Sequence, residues 1–96
     1  MRSSKPKRLE LSITAALEQL GLSARVRQYE VLERWSSIVG DHISSVTNPE
    51  RIDRGKLIVR VTRSTWRNEL TFLKKEIIAK INKAMNQEIV KDIIFR

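Results

Sequence analysis

Apolar residues recur with helical spacing in the N-terminal part of the chain. The first set follows the i, i+4, i+7, i+8, i+11 pattern of one helix face and ends at Gly21, a typical helix stop. Its members are Leu9, Ile13, Ala16, Leu17 and Leu20. A second helix is predicted from an N-cap at Ser23 to Gly40. Its apolar set is Val26, Tyr29, Leu32, Trp35, Ile38 and Val39. Because the connection between the two helices is short, we expect them to pack as a hairpin.

The pattern changes to strict alternation in KLIVRVT, residues 56–62, which is typical of a half-buried strand. Leu57, Val59 and Val61 share one side of this strand, and the other side carries Lys56, Ile58, Arg60 and Thr62. Before it, residues 41–46 are expected to form one helical turn that Asn48-Pro49 stops, and residues 51–53 to form a short strand. Arg54-Gly55 is predicted to be a tight turn, so the two strands should make an antiparallel hairpin.

A third helix is predicted over residues 65–85, because its apolar residues fall within one sector of ~80° when each residue turns the helix by about 100°. They are Trp66, Leu70, Leu73, Ile77, Ile81 and Ala84. Asn86-Gln87 should close this helix. The final segment, IVKDIIFR, is rich in β-branched residues and apolar on both faces towards its end, which predicts an interior or well-covered strand.

The predicted order is helix, helix, strand, strand, helix, strand. This order favours an α+β fold in which the helices pack on one face of a small, mainly antiparallel, three-stranded sheet. With 96 residues the chain has room for one core. We expect residues 1–8 to form a flexible basic arm and residues 9–96 to form a single domain.

The chemistry available to the chain is narrow. It has no cysteine and a single histidine, His42, so a thiolate zinc site or a cluster of histidine ligands is excluded. The glycines at 21, 40 and 55 are too scattered for a phosphate-binding loop. We therefore predict no enzyme activity, no cofactor, no metal and no small-molecule substrate. The absence of a signal peptide or a long apolar run predicts a cytoplasmic protein without membrane contact.

Positive charge is the chain's most unusual property, with a formal net charge of +8. Such an excess favours polyanions through phosphate neutralisation and counterion release. Between positions 51 and 67 six cations face one acid, Asp53. The predicted nucleic-acid contacts in this region are Arg54, Lys56, Arg60, Arg63 and Arg67, and those in the arm are Arg2, Lys5, Lys7 and Arg8. The alternative is that Lys and Arg on the strand only blunt edge pairing and aid solubility.

The aromatic residues divide into two groups. Trp35 and Trp66 follow the helical core periods, as does Leu70, so these three are predicted to be structural. Phe72 falls well away from the apolar stripe of the third helix. Together with the nearby Lys75 it is a candidate surface for a partner protein, with packing against the N-terminal helices as the alternative.

The segment from Trp35 to Asn82, followed by IVKDIIFR, resembles the DciA family of small bacterial proteins. The resemblance covers roughly residues 9–96 through landmarks whose order and spacing match. They are Trp35 with Val39-Gly40, Gly55-Lys56-Leu57, Trp66 with Glu69-Leu70, Leu73, Ile81-Asn82, and Ile93 with Phe95-Arg96. The resemblance implies a KH-like fold, DNA binding, and contact with a DnaB-type replicative helicase. The chain lacks the GxxG loop of true KH domains, so its basic edge and arm would have to bind the nucleic acid.

The leading interpretation is a non-enzymatic adaptor that binds single-stranded or forked DNA and assists loading of the helicase during replication initiation. One alternative keeps the KH-like fold but makes the protein an RNA-binding module, such as one associated with the ribosome. A second alternative is a pure protein-interaction domain whose charge aids solubility. The sequence alone leaves all three open.

Overall fold

The computed structural model describes residue 15 and residues 22–96. The predicted arm over residues 1–8 lies outside the described residues. So does the first predicted helix, apart from Ala15, which is helical. The described part begins with three helices in succession, α1 (Leu22–Glu33), α2 (Trp35–Val39) and α3 (Asp41–Ser45). It contains no helix that is long and apolar enough to cross a membrane.

The helix predicted from Ser23 to Gly40 is divided at Arg34, which has φ −93° and ψ 7°. Helical hydrogen bonding continues across this point, since the N–H of Arg34 donates to the carbonyl of Glu30 (3.0 Å) and the N–H of Ile38 donates to the carbonyl of Arg34 (2.9 Å). Gly40 ends α2 with a φ of 93°, a region that favours glycine. The predicted helical turn after it is α3.

The predicted core face of α1 is wrong at two positions. Val26 and Tyr29 are 64% and 62% exposed. The buried side of the helix instead passes through Arg27, Val31 and Trp35, spaced by four residues. Arg27 lies on this side, where its Nη2–H donates to the carbonyl of Met85. The buried face of α1 therefore includes a charged residue, Arg27, and differs from the apolar face predicted from the sequence.

The sheet has three strands, β1 (Thr47–Asp53), β2 (Lys56–Val61) and β3 (Asp92–Phe95), in the order β1-β2-β3. β1 pairs with β2 antiparallel and β2 pairs with β3 parallel. The α+β prediction is confirmed, but the sheet is mixed rather than mainly antiparallel. The reason is that two helices, α4 (Thr65–Phe72) and α5 (Lys74–Met85), return the chain to the beginning of β2 before β3 starts.

Two strand predictions need correction. β1 begins at Thr47 rather than at Arg51, and it includes Pro49. Proline is tolerated there because β1 is an edge strand and its register shifts between Pro49 and Arg51. β3 is the other edge, not an interior strand. Its outward Ile94 is 40% exposed, so the apolar character on both faces of IVKDIIFR did not indicate two-sided burial.

The predicted turn between β1 and β2 is confirmed. Arg54 and Gly55 have φ values of 53° and 81°. Positive φ at both central residues is the pattern of a two-residue type I′ hairpin. The carbonyl of Gly55 accepts hydrogen bonds from the N–H groups of Lys91 (2.7 Å) and Asp92 (3.2 Å), so the turn also holds the beginning of β3.

The core lies between the helices and one face of the sheet. Leu57, Val59 and Ile93 are fully buried on the sheet side. The predicted stripe of the third helix supplies the helical side through Leu70, Ile77 and Ile81, which are at most 1% exposed. This helix is divided at Leu73, where the hydrogen bonds to Glu69 (3.2 Å) and Leu70 (3.1 Å) tighten the turn without ending the stripe.

The side chain of Asn82 organises the loop that leads from α5 to β3. Its Oδ1 accepts from the N–H groups of Ile89 and Val90, both at 3.0 Å. Its Nδ2 donates to the carbonyl of Val90 at 2.9 Å. Val90 is fully buried, so its backbone groups have no access to water and depend on this amide. Asn82 therefore fixes the chain after Asn86, whose left-handed φ of 53° ends α5.

We expect Asn82→Ala to destabilise the domain by about 2–3 kcal/mol, because it leaves buried backbone groups of Val90 without partners. Gln87→Ala is the matched control, since Gln87 is an exposed amide in the same loop and should change stability by no more than about 0.5 kcal/mol. Urea denaturation of the two variants measures the difference. Equal midpoints would contradict the assigned role of Asn82.

Candidate nucleic-acid interface

The basic residues of the predicted edge fall into two groups on the sheet. Arg54 lies in the hairpin turn and Lys56 begins β2, whereas Arg60 lies near the other end of the same strand. Lys56 and Arg60 are four residues apart and therefore on one face, separated by about 13 Å at 3.3 Å per residue. Arg63 follows β2 before α4 begins at Thr65, and Arg67 lies in the first turn of α4, so both are close in sequence to Arg60. All five side chains are exposed.

Acidic groups compensate the charge at the turn end. Asp92 pairs with Lys56 across the parallel ladder and forms an ion pair with Lys74 (3.3 Å). A hydrogen bond from the backbone of Ile93, followed by the contact with Lys74, lowers the pKa of Asp92 below its usual value despite some desolvation. The carboxylate is therefore ionised at neutral pH. Lys56 therefore has an ionised acidic neighbour on the adjacent strand.

Arg96 belongs to the Arg60 group, although its role was missed in the sequence. The N–H of Arg96 donates to the carbonyl of Val59 (2.9 Å), and the N–H of Val61 donates to the carbonyl of Arg96 (2.7 Å). This is the parallel pattern in which Arg96 stands beside Arg60. Arg96 lies beside Arg60 only because β3 pairs parallel to β2. The sequence predicted a mainly antiparallel sheet, so it did not place the two arginines together.

Two shallow depressions meet at this end of the sheet. One is lined by Arg60, Val61, Arg67 and Arg96. The other is lined by Ser64, Arg67, Asn68 and Thr71. They share Arg67, and together they place three guanidinium groups next to hydroxyl and amide side chains, with no acidic residue in either lining. Arginine, serine, threonine and asparagine are the side chains that commonly contact nucleic-acid phosphates.

Glu50 is the acid closest to this group. Its Oε1 accepts from both Nη2 (2.8 Å) and Nε (3.2 Å) of Arg96. The side chains of Arg96 and Glu50 are 58% and 23% exposed. Because both bonds end on one carboxylate oxygen, the pair lacks the two-oxygen fork in which arginine binds a carboxylate most strongly. An ion pair this exposed stabilises the fold by at most about 1 kcal/mol.

The two tryptophans position the elements around the interface. Trp35 is 3% exposed, and its indole Nε1–H donates to Oγ1 of Thr47 (2.9 Å), whose hydroxyl donates to the carbonyl of Ile43 (2.7 Å). Trp66 is half-buried and packs edge to face on His42, with ring centroids 4.9 Å apart. This contact packs α4, which carries Trp66, against α3, which carries His42. One turn further along α4, Leu70 is fully buried.

Phe72 lies on the outer side of α4 and is 80% exposed. It points away from the stripe of Leu70 and Ile77, so it contributes little to the core. Lys75 follows three residues later, in the first turn of α5, and is also exposed. The candidate partner surface is therefore accessible within the described part of the chain.

A second group of cations lies on the helical side, where Arg34, Lys80 and Lys83 line a groove with Ser37, Ile38 and Ala84. Arg34 donates to the carbonyl of Ala84 (3.5 Å) and pairs with Glu30 (3.8 Å). Cations near the last carbonyls of a helix are favoured by its dipole. This group therefore has a structural explanation in the end of the helix. Among the described residues there is no cluster of three metal-ligating side chains.

Comparisons with known proteins agree with the resemblance in the sequence. The family model described as Dna[CI] antecedent, DciA, matches residues 9–95. A UPF0232 protein of Rhodococcus jostii is 32% identical over 79 residues, which are 82% of this chain and 42% of that protein. A UPF0232 protein of Mycolicibacterium smegmatis is 31% identical over 70 residues, covering 73% of this chain and 36% of the relative. The aligned region thus spans about two fifths of these longer bacterial relatives. Because the family model covers nearly the whole chain, this protein belongs to the DciA family.

Proposed function

We propose that this protein is a non-enzymatic adaptor that binds single-stranded or forked DNA and contacts a DnaB-type replicative helicase, assisting its loading at replication initiation. The observation that carries the DNA-binding part is the group of exposed arginines around Arg60, which shares two depressions with polar side chains. Family membership supports the helicase part. The protein would act by stabilising an assembly of protein and DNA, with no bond made or broken.

The phosphate contacts are assigned to Arg60, Arg63 and Arg67, with Arg54 and Lys56 as a weaker extension. The weaker role follows from the position of Lys56 beside Asp92, where each phosphate would meet a carboxylate as well as an ammonium group. The arm residues Arg2, Lys5, Lys7 and Arg8 would add further non-specific contacts. Competition between DNA and RNA oligonucleotides of the same sequence tests the choice of nucleic acid, because only RNA presents a 2′-hydroxyl. Preference for RNA would favour the alternative of an RNA-binding module.

The helicase contact is assigned to the surface formed by Phe72 and Lys75. An exposed phenylalanine beside a cation is a typical anchor of a protein interface, since aromatic side chains contribute much of the binding energy when a partner covers them. This surface lies on α4 and α5 and does not line the depressions around Arg67. DNA and helicase would therefore contact different side chains of α4, with Phe72 one helical turn from Asn68.

We expect Phe72→Ala to reduce recovery of the helicase at least tenfold when the tagged protein is used to capture partners from a bacterial lysate treated with nuclease. The affinity for DNA and the melting temperature should remain unchanged, because Phe72 is 80% exposed and lines neither depression. Tyr29→Ala is the matched control, since Tyr29 is an exposed aromatic residue on another helix. Recovery of helicase only without nuclease would mean that DNA bridges the two proteins, which would contradict a direct contact.

A further inference from the structure

We propose that Arg96 completes a phosphate-binding site with Arg60 and Arg67, and that Glu50 is an intramolecular competitor for that site. The inference rests on the proposed function and specifies how one phosphodiester group of single-stranded DNA would be held. The three guanidinium groups line one depression. Arg96 is the member whose side chain is already engaged by an anion, the carboxylate of Glu50.

The backbone keeps Arg96 in place independently of its side chain. Hydrogen bonds to Val59 and from Val61 fix its main chain beside Arg60. The side chain reaches across the outer face of the sheet, because Glu50 lies on β1 and Arg96 follows β3, with β2 between them. The guanidinium can therefore release the Glu50 carboxylate and bind a phosphate without disturbing the strands.

The geometry of the ion pair favours such an exchange. Glu50 presents a single oxygen to Nε and Nη2 of Arg96, whereas a phosphodiester offers two non-bridging oxygens that can accept from both N–H groups in parallel. Arg60 and Arg67 line the same depression and add charge that attracts a phosphate. Their attraction for a phosphate is partly offset by the carboxylate, so Glu50 limits the affinity for DNA.

The site also suggests a path for the strand. Arg67 lines both depressions, and the second one offers the side chains of Ser64, Asn68 and Thr71. A phosphate held between Arg60, Arg67 and Arg96 would direct the adjacent nucleotide towards these hydroxyl and amide groups. Such groups hydrogen bond to sugars and phosphates without reading sequence, which predicts sequence-tolerant binding.

The test compares binding of a fluorescein-labelled oligothymidylate to four proteins by anisotropy at ~50 mM salt: the wild type, Glu50→Gln, Arg96→Gln and the double variant. We expect Glu50→Gln to raise the affinity about two- to fivefold. Arg96→Gln should lower it by a similar factor. In the Arg96→Gln background, Glu50→Gln should produce a much smaller gain, because the competition no longer exists.

Glu76→Gln is the matched control, since it removes the same charge from an exposed position on α5. A gain for Glu76→Gln equal to that for Glu50→Gln would overturn the inference, because net charge alone would then explain the effect. The inference would also be overturned if Glu50→Gln raised the affinity in the Arg96→Gln background as much as it does in the wild type. Loss of DNA binding on reversal of Arg60 and Arg63, together with no effect at Glu50 or Arg96, would leave the proposed function standing and refute this site. Absence of DNA binding by the wild type would refute both.

Discussion

Trp35→Ala is expected to cost about 3–5 kcal/mol of stability, the largest effect of any single substitution considered for this domain. The indole is buried among the helices and the sheet, and its N–H is satisfied by Thr47. For a domain of this size each kcal/mol lowers the melting temperature by about 4–8 °C. The variant should therefore melt at least about 12 °C below the wild type, measured by circular dichroism.

Two further variants separate the packing of Trp35 from its hydrogen bond. Trp35→Phe keeps most of the apolar contact and should cost less than Trp35→Ala. Thr47→Val leaves the buried indole N–H without an acceptor, which typically costs about 1–3 kcal/mol. Tyr29→Ala removes an exposed aromatic side chain and should change stability by no more than about 0.5 kcal/mol. A Trp35→Ala variant as stable as Tyr29→Ala would show that Trp35 does not anchor the helical layer.

Combined reversal of Arg60 and Arg63 to Glu is expected to weaken binding of single-stranded DNA by about 10- to 100-fold at low salt. The change removes two phosphate contacts and adds two repulsive charges beside the remaining arginines. Both side chains are exposed, so the melting temperature should stay close to that of the wild type. Fluorescence anisotropy with a labelled oligothymidylate measures the affinity.

The control for this reversal is Arg25→Glu combined with Lys80→Glu, which changes the net charge by the same amount on exposed helical positions. If binding depends on the cluster around Arg60, this control should lose much less affinity. Equal losses in the two double variants would indicate a diffuse electrostatic attraction instead. The sheet surface would then have no special role in DNA binding.

Local features of the fold were predictable from the sequence because local physics determines them. Positive φ at Arg54 and Gly55 follows from a two-residue hairpin, and the stripe through Leu70, Ile77 and Ile81 follows from helical periodicity. The α+β class follows from the order of these elements. The landmark Asn82 appeared in the sequence only as part of a family resemblance, and the structure gives its physical reason in three hydrogen bonds.

Long-range features were not predictable in the same way. The parallel pairing of β3 depends on where α4 and α5 return the chain, and alternation within IVKDIIFR carries no information about its neighbour. The role of Arg96 was missed for that reason. The helical spacing of apolar residues on α1 also misled the prediction of the core. Val26 and Tyr29 were assigned to it but are exposed, and Arg27 lies on the inner face instead.

The salt dependence of DNA binding tests the central claim most directly. Three arginine contacts with phosphate, each contributing about 0.7 for a single strand, predict that log K falls with log salt at a slope of about −2 or steeper. In the variant with Arg60 and Arg63 reversed to Glu, the slope should become shallower by about 1.4. A wild-type slope near zero, or the same slope in both proteins, would contradict the claim that these arginines bind the DNA backbone.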